Sequence, residues 1–119
     1  MRFLLMHKID ESRPDAYDPS PEFIAKMGQF IGEVAQTGAL LAADGLTHSA
    51  NGARIVVRNG RRDVIDGPFT EAKEVIGGYA IVDLRSKAEA IELGSRFAAL
   101  FDHDIEVEVR QMPDAPDRH

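Results

Sequence analysis

The sequence has no cysteine. That excludes disulfides, thiolate-held metals and cysteine nucleophiles, and it fits a reducing compartment, so a cytoplasmic location is expected. Positive charge is also in deficit: 14 Lys and Arg face 20 Asp and Glu, a net charge of −6. A chain of that sign is not expected to bind nucleic acid or an anionic membrane nonspecifically. Its one basic cluster, Arg54, Arg58, Arg61 and Arg62, brackets a turn and reads as a solvated hairpin face. No apolar run approaches the length of a bilayer span. The opening Met1–Met6 imitates an export signal, but His7-Lys8 and Asp10-Glu11 cut its apolar stretch short and no cleavage site follows. Phosphate loops, dinucleotide fingerprints and nucleophile elbows are missing too. No two histidines share a metal-ligand spacing. Neither a metal nor a cofactor is therefore expected.

What is present is one domain's worth of chain, 119 residues with 44% apolar composition, enough for a single core. Residues 1–112 carry the domain pattern, and 113–119 form a polar tail. Residues 2–7 are apolar at every other position on both faces, as suits a central strand. Residues 8–19 form a polar loop long enough to be a lid or binding loop. Ser20-Pro21-Glu22 starts a helix with a hydroxyl cap, a first-turn proline and an acid near the positive dipole end. Phe23, Met27, Phe30, Ile31 and Val34 then make one apolar stripe that Gly38 ends. Strands are expected over 39–46, 53–58, 61–65 and 78–84, with Asn59-Gly60 as a type I′ hairpin turn. Residues 66–76 read as a loop with one helical turn. Ser86 and Glu89 form a capping box for a second helix to Ala99, its Ile91 and Phe97 facing inward. Ile105, Val107 and Val109 alternate with charged residues in a last, half-exposed strand.

With the hairpin set aside, the order is β-α-β-β-α-β. That predicts an α+β, ferredoxin-like fold with an antiparallel sheet. Its helices cover one sheet face, and a second copy of the chain is the economical cover for the other, so a homodimer is expected.

One segment carries a resemblance: Asp66-Gly67-Pro68-Phe69, then Glu71, Lys73, Glu74 and Gly77-Gly78-Tyr79. With Asp44-Gly45-Leu46 and Val107–Arg110 it resembles the DGPF-motif branch of the YCII-related family, over nearly the whole chain. The resemblance implies a dimeric α+β barrel. It also implies a stress-linked regulatory role, because genes of this branch often neighbour those of extracytoplasmic-function sigma factors. In the wider family an imidazole–carboxylate pair is the proposed catalytic site, and one relative removes chloride from a chlorinated hydroxyquinol. The imidazole sits on the first helix, where this chain has Met27 and no histidine. A thioether cannot move a proton, so that mechanism does not transfer unchanged.

The residues themselves suggest two roles for Asp66-Gly67-Pro68. As a tight turn, Asp66 would accept backbone amides, Gly67 would supply unusual φ, and Phe69 would anchor the turn in the core. As a site, Asp66 would stand at the cleft mouth as acid or base, with His7 assisting. Asp44, His48, Pro68, Phe69 and Lys73 are the candidate ligand contacts. His7 ends the first strand, where it could face the cleft, whereas His103 reads as a turn residue. Two functions compete: a small-molecule-binding or regulatory homodimer, and a small enzyme using Asp66 on a compact aromatic substrate. The missing helix histidine favours the first, and the charge concentrated around Asp66 favours the second.

Overall fold

A computed structural model describes residues 1–114, and the polar tail expected over 113–119 lies largely outside them. The elements are β1 (Arg2–Ile9), α1 (Pro21–Gln36), β2 (Leu40–Gly45), a 3-10 turn (Ser49–Asn51), β3 (Ala53–Arg58), β4 (Arg61–Asp66), β5 (Val75–Asp83), α2 (Lys87–Ala98) and β6 (Glu106–Gln111). Four strands form one antiparallel sheet in the order β2-β5-β1-β6, and β3-β4 form a separate hairpin. The fold is α+β and ferredoxin-like, with the two expected central strands, β1 and β5, at its centre. Among the described residues no helix is long and apolar enough to cross a membrane.

Local chemistry accounts for the elements. Ser20 Oγ accepts the Phe23 amide at 3.1 Å and starts α1. After the helix, Gly38 sits at φ +81°, a conformation that glycine adopts without steric penalty. Ser86 Oγ accepts the Glu89 amide at 3.2 Å, while Glu89 reaches back to the Arg85 amide rather than to that of Ser86. Asn59 and Gly60, at φ +53° and +76°, close the hairpin.

The core lies between the sheet and the two helices, with Phe30 and Val34 of α1 buried on one side and its tightest cluster on the side of α2. Phe3, Leu5, Val82 and Ala90 are buried there, with Leu40, Leu84, Leu93 and Val109 packed around them. Gly94 faces the sheet, where a Cβ would just reach van der Waals contact with Val109 at 3.4 Å. The buried stripe of α2 is Ala90, Leu93, Gly94 and Phe97, an i, i+3, i+4, i+7 pattern. Ile91 lies one residue off that stripe and is 49% exposed, which corrects its expected inward position.

Other differences concern ends. β5 begins at Val75, not 78, because Gly77 is the extra residue of a bulge: beyond it Ile76 and Val75 pair with Lys8 and Ile9. The glycine pair thus lies inside the strand instead of announcing it. β4 takes in Asp66, β6 starts after Ile105, and the loop after Asp66 has a turn at 70–71 in place of a helical turn.

The face of the sheet away from the helices carries Leu4, Met6, Tyr79 and Ile81, all half-buried. The hairpin projects from the body with Ile55, Val57 and Val64 exposed. Accordingly, the radius of gyration is 16.5 Å, against about 13.5 Å for a compact domain of this length.

Candidate functional site

α1 does not lie flat on the sheet. Its stripe leaves a cleft of about 600 Å³, floored by β1 and β5 and closed on the far side by Phe97 and Phe101 at the end of α2. Phe23, Met27 and Phe30 line the α1 wall, and the loop between β1 and α1 supplies the rim with Asp10, Arg13, Asp15, Tyr17 and Asp18. The wall is predominantly apolar, with few polar groups converging on it, the usual make-up of a small-molecule site.

His7 is the polar group on the floor. It pairs with Gly78 across the sheet, and its ring lies over Gly77 and Gly78. A Cβ on Gly78 would come within 2.6 Å of the imidazole, and one on Gly77 within 2.8 Å. Both are far inside van der Waals contact, so two side-chain-free residues make the seat for the ring. Phe97 and Phe101 cover it from the other side, each with its ring centre 5.5 Å away. Burial disfavours the imidazolium and lowers the His7 pKa from its ordinary value. Among the described residues neither ring nitrogen has a hydrogen-bond partner, so the cleft holds an uncharged imidazole free to donate or accept. No three His, Asp or Glu side chains among the described residues converge as a metal site.

The rim loop is held from behind by Glu11. Its carboxylate accepts the Tyr17 hydroxyl at 2.6 Å and both the Ser49 amide and hydroxyl at 2.7 Å. Burial would raise the Glu11 pKa, but the bonds from Ser49 and Tyr17 outweigh it and the net shift is downward. Ser49 Oγ in turn accepts the Phe69 amide at 2.9 Å. One hydroxyl therefore ties the rim loop to the Asp66–Phe69 turn. Neither Glu11 nor Ser49 stood out in the sequence, because their partners are 38 and 20 residues away.

The expected site residues separate into three places. His7 and Asp44 border the cleft, although the pairing of Asp44 with Tyr79 turns its side chain toward the sheet's other face. Lys73 lines an adjoining polar recess with Lys8, Glu74 and Asp104, which shares Asp10, Arg13 and His103 with the cleft. His48 accepts the Ala50 amide through Nδ1 at 3.0 Å and packs on Tyr17, capping the 3-10 turn.

Asp66, Pro68 and Phe69 lie outside the cleft of this chain. Asp66 is exposed at the end of β4, and among the described residues its carboxylate accepts no hydrogen bond, so the turn is not built as expected. Gly67 has no positive φ; it is needed because a Cβ would fall 1.8 Å from the Ser49 carbonyl oxygen. Phe69 is half-buried under the Arg54 guanidinium, 4.0 Å from its ring centre, and is not in the core. Arg54 also binds Glu71.

A family model for the YCII-related domain matches residues 1–112. The chain belongs to the YCII-related family. A search of curated proteins finds no match. Within this YCII-related chain Met27 does line the cleft. The position at which the resemblance led us to expect a histidine is thus on the α1 wall, and the imidazole present comes from β1 on the floor. His103, read from sequence as a turn residue, also borders the cleft, edge-on to Phe101 at 5.7 Å.

Proposed function

We propose that this protein is a cytoplasmic homodimer of the DGPF branch that binds a compact organic molecule in the α1 cleft and acts as a stress-linked regulator. The observation that carries the reading is the cleft itself: about 600 Å³ of mostly apolar space around one unpartnered, uncharged imidazole. The regulatory part rests on the family resemblance. The dimer is supported by the half-buried Leu4, Met6, Tyr79 and Ile81 on the uncovered sheet face.

The test is a thermal-shift screen against a library of ring-containing metabolites, with Met27→Trp beside the wild type. The tryptophan fills the cleft from the α1 wall. Ligands that raise the wild-type Tm by several degrees and leave the variant unmoved support the reading. A library that stabilises neither, or both equally, overturns it.

A second reading, acid–base catalysis on a compact aromatic substrate, is favoured by one observation: a neutral imidazole can accept a proton at physiological pH. In one protomer that role falls to His7, because Asp66 stands outside the cleft. Turnover of a screening hit, lost in His7→Gln with binding retained, would support catalysis.

A further inference from the structure

We infer that the cleft selects organic cations, namely an apolar ring bearing a protonated amine. The inference rests on the cleft reading above and adds the charge of the occupant. Five carboxylates border the cleft, Asp10, Asp15, Asp18, Asp44 and Asp102, against one guanidinium, Arg13, and the His103 imidazole, and the pairing of Asp44 with Tyr79 turns its side chain toward the sheet's other face. Arg13 is already committed to Asp15 at 3.2 Å, and Asp10 accepts Ser12. Asp18 and Asp102 have no partner among the described residues, so they are the two carboxylates available to a ligand.

Their placement follows from the fold. Phe23 near the start of α1 and Phe101 after the end of α2 touch, ring centres 4.9 Å apart, which brings the segments bearing Asp18 and Asp102 to the same mouth. The helix ends do not reverse the sign. α1 presents its positive end there, already capped by Ser20 and with the acidic Glu22 in its first turn, while α2 presents its negative end. His7 on the floor is uncharged and does not oppose a cation.

The walls point independently the same way. Phe101 contacts both Phe23 and Phe97, and all three border the cleft; aromatic faces attract ammonium groups that have shed water. A carboxylate ligand would meet the same rings and rim with the wrong sign.

Isothermal titration of the whole protein with three near-isosteric probes tests this: 2-phenylethylamine, 2-phenylethanol and 3-phenylpropanoate. The amine is expected to bind roughly three- to tenfold tighter than the alcohol, and the carboxylate weaker than both. Raising salt should erode the amine's advantage. Asp18→Asn with Asp102→Asn should bring the amine down to the alcohol's affinity, and Arg13→Gln should raise it. An alcohol that binds as tightly as the amine, or a carboxylate that binds best, overturns the inference and leaves the cleft reading standing. If none of the three binds at millimolar concentration, both fall.

Discussion

A methyl group at position 78 would sit where the His7 ring now lies, and this single exclusion ties the bulge in β5 to the state of the cleft. The ring rests on bare backbone with two phenylalanines against it, and this partial burial favours its neutral form. The consequence for stability has a definite sign. With the folded-state pKa below the ordinary 6.5, the unfolded chain binds the proton more readily. His7 therefore contributes stability fully above pH 6.5, and that contribution is lost as pH falls through the lowered folded value. Tm measured from about pH 7.5 to about pH 5.5 should fall in the wild type and flatten in His7→Phe. A wild-type profile that is already flat would show that the imidazole is as well solvated as a surface histidine. Glu11 works lower on the scale: its depressed pKa adds stability above its ordinary 4.5 that is lost as acid protonates it.

Among the elements, the turn after β4 shows how a recognisable motif can serve a site it does not enter. Its Gly67 packs on the Ser49 carbonyl, and its Phe69 amide binds the Ser49 hydroxyl that Glu11 also holds. Gly67→Ala should therefore cost roughly 1–3 kcal/mol by overpacking, readable by urea denaturation. Glu11 and Tyr17 should loosen with it, seen as faster amide exchange in residues 10–19. A variant as stable as wild type would mean that the turn relaxes at no cost.

Strands, helices and their order were legible in the sequence because apolar spacing and caps are local signals. β1 and β5 declared themselves central by being apolar on both faces, and Ser20, Ser86 and Asn59-Gly60 marked starts and turns. The site was less legible. His7 could be placed on the right strand, and the long polar loop does form the rim. The hidden parts depend on contacts between distant residues: Ser49 with Glu11 and Phe69, and the phenylalanines of α2 over His7. Charge density around Asp66 drew attention to the turn, but charge in sequence does not say which way a strand end faces.

For the whole molecule, the main question is what covers the uncovered sheet face. On the proposed dimer, Leu4, Met6, Tyr79 and Ile81 meet their copies, an isologous contact in which one change is felt twice. Ile81→Asp should then halve the mass measured by light scattering at micromolar concentration while leaving the far-ultraviolet circular dichroism unchanged. A wild-type protein that already runs as a monomer would remove the dimer. The projecting hairpin, with exposed Ile55, Val57 and Val64, is a second uncovered apolar surface.

The pairing of β1 bears on how the chain acquires its shape. Both neighbours of this strand come from far along the sequence: Phe3 pairs with Val82 on one side and with Gln111 on the other. Nothing within the first seventy residues can complete it. During synthesis its apolar segment waits, both edges open, until nearly the whole chain has emerged, whereas α1 and the hairpin can form from local contacts alone. Closure of the sheet is then a late, all-or-none event, and losing β6 would leave β1 with one edge open for good.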